Sequence, residues 1–127
     1  MKNIGKPCAG KLHARFDEGG QAHACSLLYP FEERCVARAT AFDMGGVSLL
    51  TCSAEDLVVL KAFAARDRDW ADIESIAVRQ FRQLDWPLIF EEFAPLAELR
   101  EESQATARLN VLKDKYSARL FIEINRN

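Results

Sequence analysis

The most informative stretch of the chain is Ser53 to Ile73, SAEDLVVLKAFAARDRDWADI, because it gathers cations and carboxylates at helical spacing. Lys61 brings an ammonium, Arg66 and Arg68 bring guanidinium groups, and Asp69 and Asp72 bring carboxylates. An ammonium on a rigid helix is a compact point charge, suited to a phosphate oxygen. The plainer alternative packs the Lys61 stem along the rim of an apolar face and leaves its head in water. For the remaining groups the plainer alternative is architectural. Arg66 or Arg68 bonds the last carbonyls of one helix, Asp69 caps the next, and Asp72 meets Arg68 or Lys61.

A second set is His13, His23 and Cys25. Paired across a hairpin, the two imidazoles and the thiolate suit Zn²⁺, but no fourth ligand stands at a defined spacing. Solvent-facing or hydrogen-bonded histidines are the simpler account. Serine hydrolysis has no support, since no Gly-x-Ser-x-Gly occurs. Trp70 and Trp86 lack the basic surroundings of a base-stacking platform and read as packing anchors.

Taken together, Ser53-Ala54-Glu55-Asp56-Leu57, Lys61, Arg66, Arg68, Asp69, Asp72 and Ile73 resemble a motif of small bacterial nucleotidyltransferase-like proteins, including the toxin-type members of abortive-infection systems. The resemblance extends from about Gln21 to about Lys113. It implies that Lys61, with Arg66 and Asp69, approaches a nucleotide, and that Asp72 is the catalytic candidate. It also implies a Gly-Ser turn, two aspartates on a strand and a third carboxylate, which together hold Mg²⁺ against a triphosphate. No Gly-Ser dipeptide occurs in these 127 residues, and Asp67-x-Asp69 lies at a helix junction. The third carboxylate's position falls on His23, and imidazole is a poor Mg²⁺ ligand. The expectation is therefore a degenerate protein that lacks the catalytic half, with Mg²⁺ and a nucleoside triphosphate as cofactors only if another polypeptide completes the site.

The elements that must hold these groups read as an α+β fold in one domain, 1–127. Two short β-hairpins form a small sheet packed on a bundle of about four helices, a truncated nucleotidyltransferase-like arrangement. In the first part, 1–52, a hairpin joins Lys11–Phe16 to Gln21–Leu27 through Gly19-Gly20, and Leu12, Ala14 and Phe16 line one face. A short helix follows from about Phe31 to Ala39, and a second hairpin turns at Gly45-Gly46. The helical part, 53–117, opens at a Ser53 cap, with Leu57, Leu60 and Ala64 on its inner stripe, widened by Val58 and Ala62. Asp69 caps a second helix carrying Ile73, Ile76, Ala77 and Phe81 inward. Asp85 begins a third helix, bent or restarted at Pro95. A last helix runs from about Ser103 to Tyr116, and the tail, 118–127, alternates with strand period and must join a sheet.

Composition narrows the class. Lys and Arg number 17 against 19 Asp and Glu, a net charge of −2, with no block of like charge to act as a nucleic-acid footprint. No apolar run approaches the roughly 20 residues that span a bilayer. The four cysteines show no C-x-x-C pair. They read as free thiols of a cytoplasmic protein, with Cys25, Cys35 and Cys52 packed as small hydrophobes. The expected partners are a second copy, giving a homodimer, or a protein supplying the missing half.

Overall fold

The computed structural model describes residues 21–80, 82–100 and 103–126, with only the backbone described at 21–27, 103 and 120. The elements are α1 (Gln21–Arg38), β1 (Thr40–Asp43), β2 (Ser48–Thr51), α2 (Ala54–Ala64), α3 (Asp67–Gln80), α4 (Trp86–Arg100) and α5 (Ser103–Ile124). The α+β class read from the sequence holds.

α2 starts where an oxygen side chain can relieve an orphaned donor. Ser53 is extended, at φ −65° and ψ 162°, and its Oγ accepts from the Asp56 N–H at 3.1 Å. The helix ends at Ala65, whose φ of 55° is left-handed and whose N–H bonds back to the Lys61 carbonyl at 2.9 Å. α3 begins at once, with the Arg66 carbonyl accepting from the Trp70 N–H at 3.1 Å. The buried face of α2 is Asp56, Val58, Val59 and Ala62. This is rotated from the expected stripe, because Leu57 and Leu60 are only half-buried.

α4 is the central helix. Asp85 caps it, its Oδ1 accepting from the Leu88 N–H at 3.1 Å, as the sequence indicates. Trp86, Ile89, Phe93 and Leu96 then follow at helical spacing and are all buried. Pro95 neither ends nor restarts the helix. It deprives only the Glu91 carbonyl of its N–H partner, and Glu91 lies on the exposed face, where solvent can replace that bond. α2 packs on α3, α4 and α5, and α4 also meets α1 and α5. Phe31 and Cys35 of α1, Trp70, Ile73 and Ala77 of α3, and Ala105, Leu109 and Tyr116 of α5 complete the core.

Two expectations fail. The run 21–27 is the start of α1 and not a strand, and the predicted short helix at 31–39 is that helix's second half. From Gln21 to Cys35 the run contains no β-branched residue, and alanines favour the helix. The partner strand Lys11–Phe16 and the turn before Gln21 lie outside the described residues, as does Phe81. The tail is not a strand either, since α5 continues to Ile124. Three consecutive apolar residues, Leu120-Phe121-Ile122, break strict alternation, and extending a formed helix costs no new nucleus.

The second hairpin forms as expected. Phe42 pairs with Leu49 and Asp43 with Ser48. Gly45 and Gly46 take φ of 68° and 93°, the positive values a two-residue type I′ turn demands. The Met44 N–H donates to the Val47 carbonyl at 2.8 Å, and the Gly46 N–H to Asp43 Oδ1 at 2.7 Å. All residues of both strands are exposed, so the hairpin stands off the helical body and contributes nothing to its core.

Candidate functional site

The two-residue connection between α2 and α3 folds the last turns of one helix against the first turn of the other. That corner gathers four of the five residues singled out by spacing, Lys61, Arg66, Asp69 and Asp72. Asp69 sits at the third position of α3 and reaches back to the helix entrance, accepting from the Arg66 N–H at 3.3 Å. Its Oδ2 also accepts from Arg66 Nε at 2.6 Å, and its Oδ1 from Nη2 at 3.3 Å. Lys61 Nζ donates to Asp72 Oδ2 at 2.6 Å and lies 3.6 Å from Asp69 Oδ1. Asp69 therefore bridges both cations. Arg68 is exposed and takes no part in these bonds.

Charge balances within the corner, two cations against two carboxylates. The Arg66 guanidinium bonded to Asp69 holds that carboxyl below the usual carboxylate range. The bond to Asp72 raises the Lys61 ammonium. Asp69 is buried, whereas the Arg66 side chain is 77% exposed and Asp72 44%. An anion from solvent can reach the outer edge of Arg66. It reaches Lys61 only by displacing Asp72. The carbonyls at the end of α2 are served from elsewhere, because Arg100 Nη1 donates to the Phe63 carbonyl.

The proposed zinc set does not assemble as expected. His13 lies outside the described residues, and the hairpin that was to pair it with His23 and Cys25 is precluded by the helical backbone of 21–27. Among the described residues no group of three or more His, Cys, Asp or Glu side chains is placed to hold a metal ion.

A second charged cluster was not foreseen. Arg34 and Arg38, one turn apart on α1, meet Asp56 of α2 and Glu92 of α4. Arg38 Nη2 donates to Asp56 Oδ1 at 2.5 Å and Nε to Oδ2 at 3.2 Å. Its Nη1 reaches Glu92 Oε1 at 2.8 Å, and Arg34 Nη2 reaches Glu92 Oε2 at 2.6 Å. Asp56 is 1% exposed and Glu92 6%. The Arg34 and Arg38 guanidinium groups hold the Glu92 carboxyl low despite its burial. Two arginines four apart, with Glu92 falling on the apolar face of its helix between Ile89, Phe93 and Leu96, was the available signal. In the sequence Asp56 stands out only as part of the motif from Ser53 to Leu57.

Cys35 lies beside this network, and burial, with Asp56 nearby, pushes its thiol up to about 12. Cys52 is exposed, contrary to the expectation that it packs inside. A maleimide applied to the native protein at neutral pH should therefore label Cys52 within minutes and leave Cys35 unmodified until denaturant is added, read peptide by peptide in a mass spectrometer. Native labelling of Cys35 at a comparable rate would contradict this packing.

Comparison with protein families matches residues 7–121 to the family described as "Nucleotidyltransferase of unknown function (DUF6036)". The chain belongs to this family. Comparison with curated proteins and with solved structures finds no match. Within this nucleotidyltransferase family the matched span takes in α1 to α4, both strands, the whole α2–α3 corner and α5 as far as Phe121. It is wider at both ends than the stretch over which the sequence motif was legible.

Proposed function

We propose that this nucleotidyltransferase-like protein is catalytically degenerate and acts by binding and self-assembly, as a homodimer. The observation that carries the reading is the self-neutralised corner. Lys61 and Arg66, the groups that would meet a triphosphate, are already engaged by Asp72 and Asp69. The absence of a Gly-Ser dipeptide in the 127 residues agrees with it. The spacing from Lys61 to Asp72 is that of the toxin-type members of abortive-infection systems, and we place the chain near them. No helix among the described residues is long and apolar enough to cross a membrane, and we assign the protein to the cytoplasm.

Purified protein incubated with Mg²⁺ or Mn²⁺ and labelled nucleoside triphosphates should transfer no label to itself, to tRNA or to other proteins. The same nucleotides should leave its melting temperature unchanged. Metal-dependent labelling that vanishes in Asp72→Ala would overturn the reading. A nucleotide that raises the melting temperature of the wild type, but not of Lys61→Ala, would show a surviving phosphate site.

One observation favours a second reading, in which a separate polypeptide supplies the metal-binding carboxylates and the protein is a component of a nucleotidyl transfer enzyme. A two-stranded hairpin is marginal in water by itself, and this one leaves Phe42, Met44, Val47, Leu49 and Leu50 exposed. A partner packed against it would cover them. Under this reading Mg²⁺ and a nucleoside triphosphate are the cofactors. A neighbouring open reading frame carrying a Gly-Ser turn and paired aspartates, and activity on co-expression, would decide for it.

A further inference from the structure

We infer that the C-terminal part of α5 is the surface on which a second copy of this chain docks, the two tails lying antiparallel about a two-fold axis. The inference rests on the self-assembly reading above and names its interface.

Among the described side chains the last buried one of α5 is Tyr116, and every side chain described from Ser117 to Arg126 is exposed. From Tyr116 the helix continues for about 12 Å to Ile124. Phe121 is 70% exposed, Ile122 58% and Ile124 66%, and Val111 on the preceding turns is 66% exposed. At roughly 100° per residue, Phe121 and Ile124 share a face and Ile122 lies beside it, so the three form one broad apolar arc. Arg119 and Glu123 lie opposite this arc, so the overhang is amphipathic with its apolar side bare, and so short a stretch has little to keep it helical alone in water.

The only described attachment of the overhang to another element is Glu123 Oε2, which accepts from Arg82 Nη2 at 2.5 Å. That ion pair holds one side of the tail towards the body and leaves the sides bearing Phe121 and Ile122 free.

Area supports a second copy as the occupant. Four such side chains per copy expose on the order of 100 Å² each, so two copies contribute roughly 800 Å² of apolar surface. Apolar atoms form about 65% of a homodimer interface, which puts the whole contact at roughly 1,200 Å². That is the lower bound of specific interfaces. The helix dipoles set the direction, since antiparallel tails oppose them whereas parallel tails would align them. Closed two-fold pairing is also the commonest way for one sequence to cover its own apolar surface.

The test is sedimentation equilibrium across the micromolar range on three full-length proteins: the wild type, the double variant Phe121→Glu with Ile122→Glu, and Phe42→Glu in the hairpin. The wild type and Phe42→Glu should give twice the 14.3 kDa chain mass. The tail variant should give the single chain mass, its dissociation constant raised about 30-fold or more, as removal of an interface anchor predicts. Both tail substitutions fall outside the buried core, so its helical circular dichroism and tryptophan emission should match the wild type and exclude misfolding as the cause. A wild type that stays monomeric overturns the self-assembly reading and this interface together. A dimer that survives in the tail variant but is lost in Phe42→Glu moves assembly to the hairpin and overturns only the interface proposed here.

Discussion

Replacing Asp56 with alanine should cost the fold about 2–3 kcal/mol, because Arg38 Nε and Nη2 lose their charged acceptor in a nearly dry site while Nη1 alone keeps one, on Glu92. Against a total stability of about 5–15 kcal/mol for a domain of ordinary size, that is a large share of the margin. Arg38 Nε and Nη2 both point at Asp56, and the Arg38 side chain is 28% exposed. Truncating the acid therefore does not return the cation to bulk water. Urea unfolding followed by circular dichroism measures the loss. If the cost comes from the orphaned charge, Asp56→Leu combined with Arg38→Met should regain most of it, since a packed apolar pair avoids the desolvation altogether. A single Asp56→Ala variant within 1 kcal/mol of wild type, on the order of a surface substitution, would show that solvent enters the cluster.

The same network sets an acid limit. Glu92 has its carboxyl lowered first by the hydrogen bond from Arg34 and then by that from Arg38. In the unfolded chain this group titrates near its ordinary 4.5. A carboxyl that is more acidic folded than unfolded contributes fully above the unfolded value, and its contribution is lost as pH falls below 4.5 towards the folded one. Stability should therefore fall as pH drops below 4.5, and Glu92→Gln should flatten that part of the profile.

The second large effect is expected at Trp70→Ala, which should destabilise the protein by about 3–5 kcal/mol through the cavity left between α3 and α5. Trp70 is 6% exposed and carries the Arg108 guanidinium 4.4 Å from its ring centroid. Two residues on, Asp72→Ala should cost no more than about 1 kcal/mol, because its bond to Lys61 is that of a half-exposed ion pair. The contrast separates the two jobs of one short motif. A loss at Asp72 as large as that at Trp70 would mean that the corner holds the helices together more strongly than the core beneath it.

What the sequence made legible was local. The Ser53 cap, the Asp85 cap and the Gly45-Gly46 turn each rest on hydrogen bonds or dihedrals spanning three or four residues, and each was placed correctly. The α2–α3 corner was nearly so, since Lys61 and Asp72 meet across 11 positions. The Arg38 to Glu92 contact spans 54 positions, and no spacing rule reaches that far. α1 was misread because small apolar residues near a Gly-Gly pair look like a hairpin, while their lack of β-branching was passed over. The tail was misread because Leu120, Ile122 and Ile124 alternate in print and yet lie on a helix already running from Ser103.

The hairpin from Thr40 to Thr51 supplies no side chain to the core, and neither Gly45 nor Gly46 has an atom within 4 Å of where a Cβ would stand. Folding of the helical body therefore places almost no demand on its identity beyond the positive φ of its turn. Substitutions in this arm are judged only by whatever the arm touches. Across related proteins it should diverge or hold still independently of α2 to α4, so the rate at which its residues change would report the persistence of a partner, free of the confounding demand of stability.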